Sequence, residues 1–184
     1  MKLEYPAFWR NASSKRKRIY AIIIVFVIAL VVTAVGSYVP LSHSEAQSIS
    51  SGVNATLNSH KSIGSLTEYI FINNFSICLL MFIPIIGPIL GMFIIFDTGI
   101  ALGAISTVKG YPPFVALISE LILPIYWLEF IAYSTAMAEG IWLSRRLMQR
   151  RWFELKNMVI LIVICGAILA SSAALEAWLI SLGI

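Results

Sequence analysis

The sequence predicts an all-α protein, a polytopic membrane helical bundle of about five transmembrane helices, with a Pro/Gly-broken hairpin and a kinked fourth helix. Of its 184 residues, 59% are hydrophobic and 12% are charged, whereas a soluble domain carries about 25% charged residues. The mean hydropathy is +0.89. Apolar runs of about 20 residues, the length that crosses a bilayer as a helix, recur along the chain. Because so little polar material is left to cover a globule, lipid must cover the rest.

The first transmembrane helix is predicted over 19–38, after a basic cytoplasmic N-terminus, 1–18, that ends in "KRKR". A cleaved signal peptide is the competing interpretation, but its apolar core normally spans about 7–15 residues. The longer run favours an uncleaved helix. An anchor on the cytoplasmic side explains the basic cluster fully, so nucleic acid is not expected as a partner.

A polar extracellular loop is predicted over 39–67. This segment is rich in serine and contains "NAT" at Asn54. That sequon is a glycosylation candidate in an accessible place.

The next apolar stretch, 68–109, is too long for one crossing, because a straight helix of that length spans about 60 Å. It is interrupted at "PIIGP", where Pro84 and Pro88 break the helical hydrogen-bond pattern. We expect helices over 68–84 and 88–108. They form either a tight hairpin or a re-entrant pair that meets at mid-membrane.

The stretch 112–146 is too long for one upright crossing and too short for two. We expect Pro124 to kink it. A basic cytoplasmic loop, 147–156, then leads to the last transmembrane helix, 157–184.

Charge fixes the predicted orientation. Eleven of the 13 Lys and Arg residues fall in two clusters, one before Ile19 and one from Arg145 to Lys156. The positive-inside rule places both clusters in the cytoplasm, so an even number of crossings separates them. We therefore expect a multi-pass plasma-membrane protein with a cytoplasmic N-terminus and an extracellular C-terminus.

Small residues recur at four-residue intervals, the spacing that lets helices approach closely in lipid. Such faces serve a compact bundle or a homo-oligomer, and packing within the chain is the favoured interpretation. The predicted packing residues are Gly87, Gly91, Gly99, Gly103 and Gly140, with Gly166, Ala170 and Ala174 in the last helix.

Acidic residues in apolar segments are unusual, because a charge at a helix centre costs about 2.5–3.5 kcal/mol on insertion scales. Two of them lie near span ends. We expect Glu139 to pair with Arg145 or Arg146, and Glu120 with Lys109. Glu176 is a third acid in an apolar segment.

A candidate intramembrane polar cluster consists of Asn73, Asn74, Asp97 and Glu129. Neither Asp97 nor Glu129 has a basic partner in reach along its helix. The two carboxyl groups are protonated, or they face the asparagines, or they line a polar cavity. The sequence supports two roles for these acids equally: a structural hydrogen bond, or a path for a substrate or for protons.

The sequence lacks the motifs that several kinds of chemistry require. The sequence contains no GxxxxGK[ST] and no GxSxG, and its two histidines lie in one polar segment. Cys78 and Cys165 show no CxxC spacing, so neither a disulfide framework nor a metal site is indicated. We expect no cofactor and no enzymatic activity; an intramembrane enzyme with converging acids is the weakest hypothesis.

A region of the chain, about 65–146, resembles the stage II sporulation protein M (SpoIIM-like) family of membrane proteins. The family shows an aromatic-x-Asn-Asn start to a helix, glycine-spaced apolar residues, and a Leu-Pro-His-Gly-x-x-Glu type motif before an Ala-rich segment. Ile125 and Tyr126 stand where the family has His-Gly. The matching residues are Phe71, Asn73, Asn74, Gly87, Gly91, Gly99, Gly103, Leu123, Pro124, Glu129, Ala132, Ala136 and Gly140.

The resemblance implies a SpoIIM-like membrane core over 68–146 and a protein that works through partners, with Glu129 held against Asn73 or Asn74. We expect a non-enzymatic scaffold or subunit of a membrane complex, surrounded by membrane lipid and by other membrane proteins. The alternative is a permease-like subunit that works with a separate ABC-type ATPase, with Asp97 and Glu129 lining its path.

Overall fold

A computed structural model describes residues 13–60, 62–150 and 154–183. Within these ranges the chain is helical and contains no strand, which confirms the all-α prediction. Four helices are each long and apolar enough to cross a membrane, and a fifth crossing is formed if the bent pair α5 and α6 counts as one. The helices are α1 (Ser14–Ser37), α2 (His43–Asn58), α3 (Ile63–Met81), α4 (Ile86–Lys109), α5 (Pro113–Ile122), α6 (Pro124–Met148) and α7 (Glu154–Ser181).

Helix α6 is the centre of the bundle. It packs against α1, α3, α4 and α7, and its buried residues face all of these neighbours. Ala132, Ala136 and Gly140 are among them, so the surrounding helices can come close to its backbone. Only a narrow stripe that includes Trp127, Ile131 and Ile141 is exposed, so most of the circumference of α6 belongs to the core.

The outer faces of the bundle carry large apolar side chains. Val27 and Val31 on α1 are 53% and 57% exposed, and Val163 on α7 is 66% exposed. Soluble proteins rarely expose so large a continuous apolar surface to water. The protein is therefore a multi-pass membrane protein whose outer faces contact lipid.

The turn between α3 and α4 is tight. Ile85 adopts φ 70° and ψ −60°, and the Ile86 N–H donates to the Pro84 carbonyl oxygen at 2.8 Å. This is a γ-turn of the strained, positive-φ type. The Ile85 N–H donates to Ser144 Oγ on α6 at 2.7 Å. Since Ser144 immediately precedes Arg145, the turn reaches the end of the bundle that carries the basic residues, and α3 and α4 form a full hairpin.

The second proline of the "PIIGP" stretch, Pro88, lies in the first turn of α4. A proline is tolerated there because its missing N–H would have no partner within the helix. Pro84 ends the α3 side of the turn, whereas Pro88 starts α4 without bending it.

Pro124 breaks the helix at the predicted place, and the bend is larger than a kink: α5 and α6 meet at an angle of 88°. The residue before a proline is driven out of the helical region, and Leu123 is extended, with φ −80° and ψ 131°. Pro124 then occupies the first position of α6, where proline is favoured. Trp127 Nε1 donates to the Leu121 carbonyl oxygen at 2.8 Å and bridges the bend.

The 39–67 segment is not simply a loop, and the sequence prediction was wrong on this point. It contains α2, which packs against α4. Ser42 Oγ accepts from the Glu45 N–H at 3.3 Å, and Glu45 Oε2 accepts from the Ser42 N–H at 2.9 Å. This reciprocal capping box starts the helix. Asn54 lies on α2 and is exposed.

Glycines allow α1 and α4 to cross at backbone contact. A Cβ added at Gly99 would lie 3.0 Å from Gly36 Cα and 3.0 Å from the Ser37 nitrogen. One added at Gly103 would lie 2.5 Å from the Ser37 carbonyl oxygen. Gly36, which the spacing argument did not single out, completes this contact from the α1 side.

The other three predicted packing glycines also lie at contacts within the chain. A Cβ at Gly87 would lie 2.5 Å from the Met81 carbonyl oxygen, and one at Gly140 would lie 2.8 Å from the same atom. At Gly91 it would lie 2.6 Å from Met137 Sδ. All five glycines of the predicted set therefore serve packing inside the bundle.

The small-residue face predicted for the last helix is displaced. Gly166 lies against the Phe75 ring, at 3.1 Å from an added Cβ, but Ala170 and Ala174 are exposed. The buried side of α7 is rotated away from these two alanines, because α3 and α6 contact it there. The residues on that side are Cys165, Leu169, Ser172, Ala173 and Ala177.

Candidate functional site

Three of the four residues in the predicted polar cluster form a hydrogen-bonded chain. Asn73 Nδ2 donates to Asn74 Oδ1 at 3.2 Å, and Asn74 Nδ2 donates to Glu129 Oε1 at 2.6 Å. The second bond joins residues 55 positions apart. It therefore fixes α3 against α6 with a charged or strongly polar acceptor, the kind of hydrogen bond that contributes most in a low-dielectric interior.

Asp97 does not belong to this cluster. It is exposed on α4 and does not line the cavity that holds Glu129, whereas the next residue, Thr98, which is also exposed, does line it. Successive residues of a helix point about 100° apart, and the packing of α4 against α1 decides which of the two lines the cavity. The prediction that Asp97 joins Glu129 was wrong.

Two other acids take its place beside Glu129. Glu120 of α5 and Glu176 of α7 line the same cavity as Glu129, Asn73 and Asn74. The three carboxyl groups are within electrostatic range of one another. Three different helices thus each contribute an acid to the wall of one cavity.

The cavity has a volume of about 660 Å³. Helix α2 closes it on one side with Ser48, Gly52 and Thr56. The lining includes three tyrosines, Tyr69, Tyr126 and Tyr133, together with apolar residues of α3, α4 and α6. It is therefore a cavity with a mixed polar and aromatic lining between the spans and the polar helix α2.

The expected pairing of Glu120 with Lys109 does not occur. Lys109 is exposed at the end of α4 and does not line the cavity. Among the lining residues there is no Lys, Arg or His.

The cavity offers no metal-binding cluster within the part of the chain that the structure describes, because no three His, Cys, Asp or Glu side chains there lie close enough to share an ion. Cys78 and Cys165 are buried elsewhere. Both thiols point at the Ala132 carbonyl oxygen, with sulfur–oxygen distances of 4.0 Å and 3.6 Å. They join α3, α6 and α7 as packing residues do.

The basic end of the bundle, the end that carries Arg18 and Arg146, holds a second polar group. Glu139 is 3% exposed, and its Oε1 lies 3.4 Å from Arg18 Nη2. The guanidinium carbons of Arg18 and Arg146 lie 5.4 Å and 4.6 Å from the ring centre of Trp142. The acid thus pairs with the N-terminal basic cluster, which sequence proximity to Arg145 and Arg146 did not indicate. Both basic clusters reach the same end of the bundle.

The fold and the cavity define a multi-pass α-helical membrane protein whose bundle contains a partly open, acid-lined cavity. The chain belongs to the stage II sporulation protein M family, whose model matches residues 21–179. The match confirms the resemblance drawn from 65–146 and extends it to α1 and α7. No curated protein and no solved structure matches the chain.

Glu120 and Glu176 line the cavity with Glu129, although the polar cluster predicted from the sequence does not include them. A usable signal was present, because both acids lie within a few turns of the span ends opposite the basic clusters. Residues at one depth in a bundle can meet even when they are far apart in sequence. Tyr133 carried no such signal, since an aromatic residue in a membrane helix is usually a packing residue.

Proposed function

We propose that the protein is a non-enzymatic scaffold or subunit of a membrane complex. The observation that supports this role best is the Asn74–Glu129 hydrogen bond. It joins the two polar parts of the family pattern, so the polar residues by which the chain resembles its family stabilise the bundle. If these polar residues serve to hold the helices together, the protein is suited to present its outer surfaces to partner proteins.

Partner recovery after mild detergent extraction tests this proposal. Glu129→Gln keeps an oxygen that accepts from Asn74 but removes the ionisable group, so we expect the same proteins to co-purify as with the wild type. Asn74→Leu removes the donor, leaves Glu129 buried without it, and should reduce both the yield of folded protein and partner recovery.

Asn73→Leu is the matched control. Asn73 is exposed and donates only to its neighbour, so the same substitution there should leave recovery nearly unchanged. If no protein is enriched over an unrelated multi-pass membrane protein, the scaffold role is refuted. If Glu129→Gln loses the partners, the structural role of the hydrogen bond is refuted.

We also propose a second candidate, a permease-like transport subunit that works with a separate ABC-type ATPase. The acid-lined cavity favours it, because ionisable residues inside a bundle commonly line substrate or proton paths. On this hypothesis Glu129→Gln abolishes flux while expression and partners are kept, and an ATPase is among the co-purifying proteins. Envelope or division proteins in place of an ATPase favour the scaffold.

A further inference from the structure

We propose that the cavity binds a small organic cation that carries two or more amine or guanidinium groups. The inference goes beyond the proposed function, because a bound cation would serve a scaffold and a transport subunit alike. Its test requires no partner protein and no flux.

The size of the cavity suits such a ligand. Its volume of about 660 Å³ falls within the roughly 300–1,000 Å³ typical of small-molecule sites. A single water molecule occupies about 30 Å³ in the liquid. The space is therefore far larger than one ion or one ordered water needs.

The negative charge of the cavity lining favours a cation as the ligand. Glu120, Glu129 and Glu176 face the cavity and no basic side chain lines it. Glu129 accepts from Asn74, while Glu120 and Glu176 have no hydrogen-bond or ion-pair partner among the residues that the structure describes. All three are partly buried, and holding partly buried carboxylates near one another without a positive charge is unfavourable, so a cation between them offsets that cost.

Tyr133 provides a second, independent observation. Its side chain lines the cavity and is 7% exposed, and its hydroxyl has no hydrogen-bond partner in the described part of the chain. Buried tyrosine hydroxyls normally find a partner. A ligand with N–H groups in the cavity supplies one.

The arrangement favours an organic cation over a metal ion. The acids come from α5, α6 and α7 and do not gather three to one point within the described ranges. Each carboxyl group can instead receive a separate N–H group of an extended ligand. Tyr69 and Tyr126 also line the cavity, and aromatic rings attract ammonium and guanidinium groups.

Equilibrium binding of radiolabelled spermidine to the full chain, purified in mild detergent, tests the proposal. We expect saturable binding to the wild type, displaced by unlabelled spermidine or agmatine. Neither 1,4-butanediol, which is uncharged, nor Mg²⁺ at an equal concentration of charge should displace it. Absence of saturable binding, or equal displacement by butanediol or Mg²⁺, overturns the proposal.

Two variants with matched controls locate the site. Glu176→Gln should weaken spermidine binding about tenfold or more, because it removes one charge-assisted hydrogen bond. Asp97→Asn makes the same chemical change at an exposed acid outside the cavity and should leave binding unchanged. Tyr133→Phe should weaken binding several-fold, whereas Tyr38→Phe, at an exposed tyrosine, should not.

Circular dichroism and gel filtration establish that each variant is folded. If Glu176→Gln does not fold, Glu120→Gln on α5 carries the same expectation. If spermidine binds but the cavity variants and their controls weaken binding equally, the cation is held elsewhere on the surface and the proposed site is refuted.

Discussion

Replacing Gly99 with alanine should force α1 and α4 apart. The new Cβ would meet the Thr33 carbonyl oxygen and would lie 3.0 Å from both Gly36 Cα and the Ser37 nitrogen, whereas ordinary Cβ contacts lie at 3.4–4 Å. All three obstacles are backbone atoms within α1, so no side chain can rotate away. The two helices must separate by several tenths of an ångström and lose dispersion contacts along their crossing.

Overpacking of this kind typically costs about 1–3 kcal/mol. The control is Gly64→Ala near the start of α3, where an added Cβ meets nothing within 4 Å. Alanine there should stabilise by about 0.5–1 kcal/mol, because glycine loses more backbone entropy in a helix. The free energy of unfolding should therefore be lower than that of the wild type for Gly99→Ala and higher for Gly64→Ala.

Unfolding of the detergent-solubilised protein by SDS titration, followed by circular dichroism, measures the difference. The wild type and both variants are compared at one detergent concentration, so that micelle effects cancel. A Gly99→Ala protein that is as stable as the wild type would refute the inference that glycine sets the distance between α1 and α4.

Three further changes probe the turn, the capping box and the topology. Ile85→Gly should stabilise the protein by about 1 kcal/mol in the same titration, because a β-branched residue at positive φ is strained, whereas Ile86→Gly, also exposed but helical, should destabilise it. The hydrogen bonds from Ser42 lower the pKa of Glu45 below 4.5. The contribution of that carboxylate is therefore complete above pH 4.5 and is lost as the pH falls through the lowered pKa, so hydrogen exchange at the start of α2 should accelerate there. Ser51→Cys, at an exposed position of α2, should react with a membrane-impermeant thiol reagent in intact cells, because both native cysteines are buried.

For each of these three predictions, one experimental result would contradict it. Equal losses for the two isoleucine variants would mean that the turn is not strained. Acid-induced exchange that persists in Glu45→Gln would assign the pH effect to another group. Labelling of Ser51→Cys only after the membrane is opened would place α2 in the cytoplasm and reverse the predicted orientation.

Local sequence features could be predicted because their causes are local. Pro124 ends one helix and starts the next through a clash with its own preceding residue, and the capping box at Ser42 and Glu45 satisfies groups within one turn. The first was used and gave the break in the right place. The second is present in "SHSE" and indicates a helix start, whereas the sequence prediction gave a loop at α2.

The composition of the cavity could not be predicted from the spacing of the acids. Whether Asp97 or Thr98 of α4 lines the cavity depends on how α4 is rotated about its axis, and contact with α1 sets that rotation. Likewise, Glu176 meets Glu129 only because α7 packs against α3 and α6. Such pairings join residues dozens of positions apart, where the sequence carries no periodic signal.

By itself, the sequence determined that this chain lies in a membrane, that the helix breaks at Pro124 and that five of its glycines allow close approach, because hydropathy and backbone sterics act within a few residues. The tertiary structure alone decided which acids share a cavity, that Asp97 faces outward and that Glu139 pairs with Arg18. Those outcomes depend on the rotation and depth of each helix against its neighbours, which packing across the whole bundle fixes.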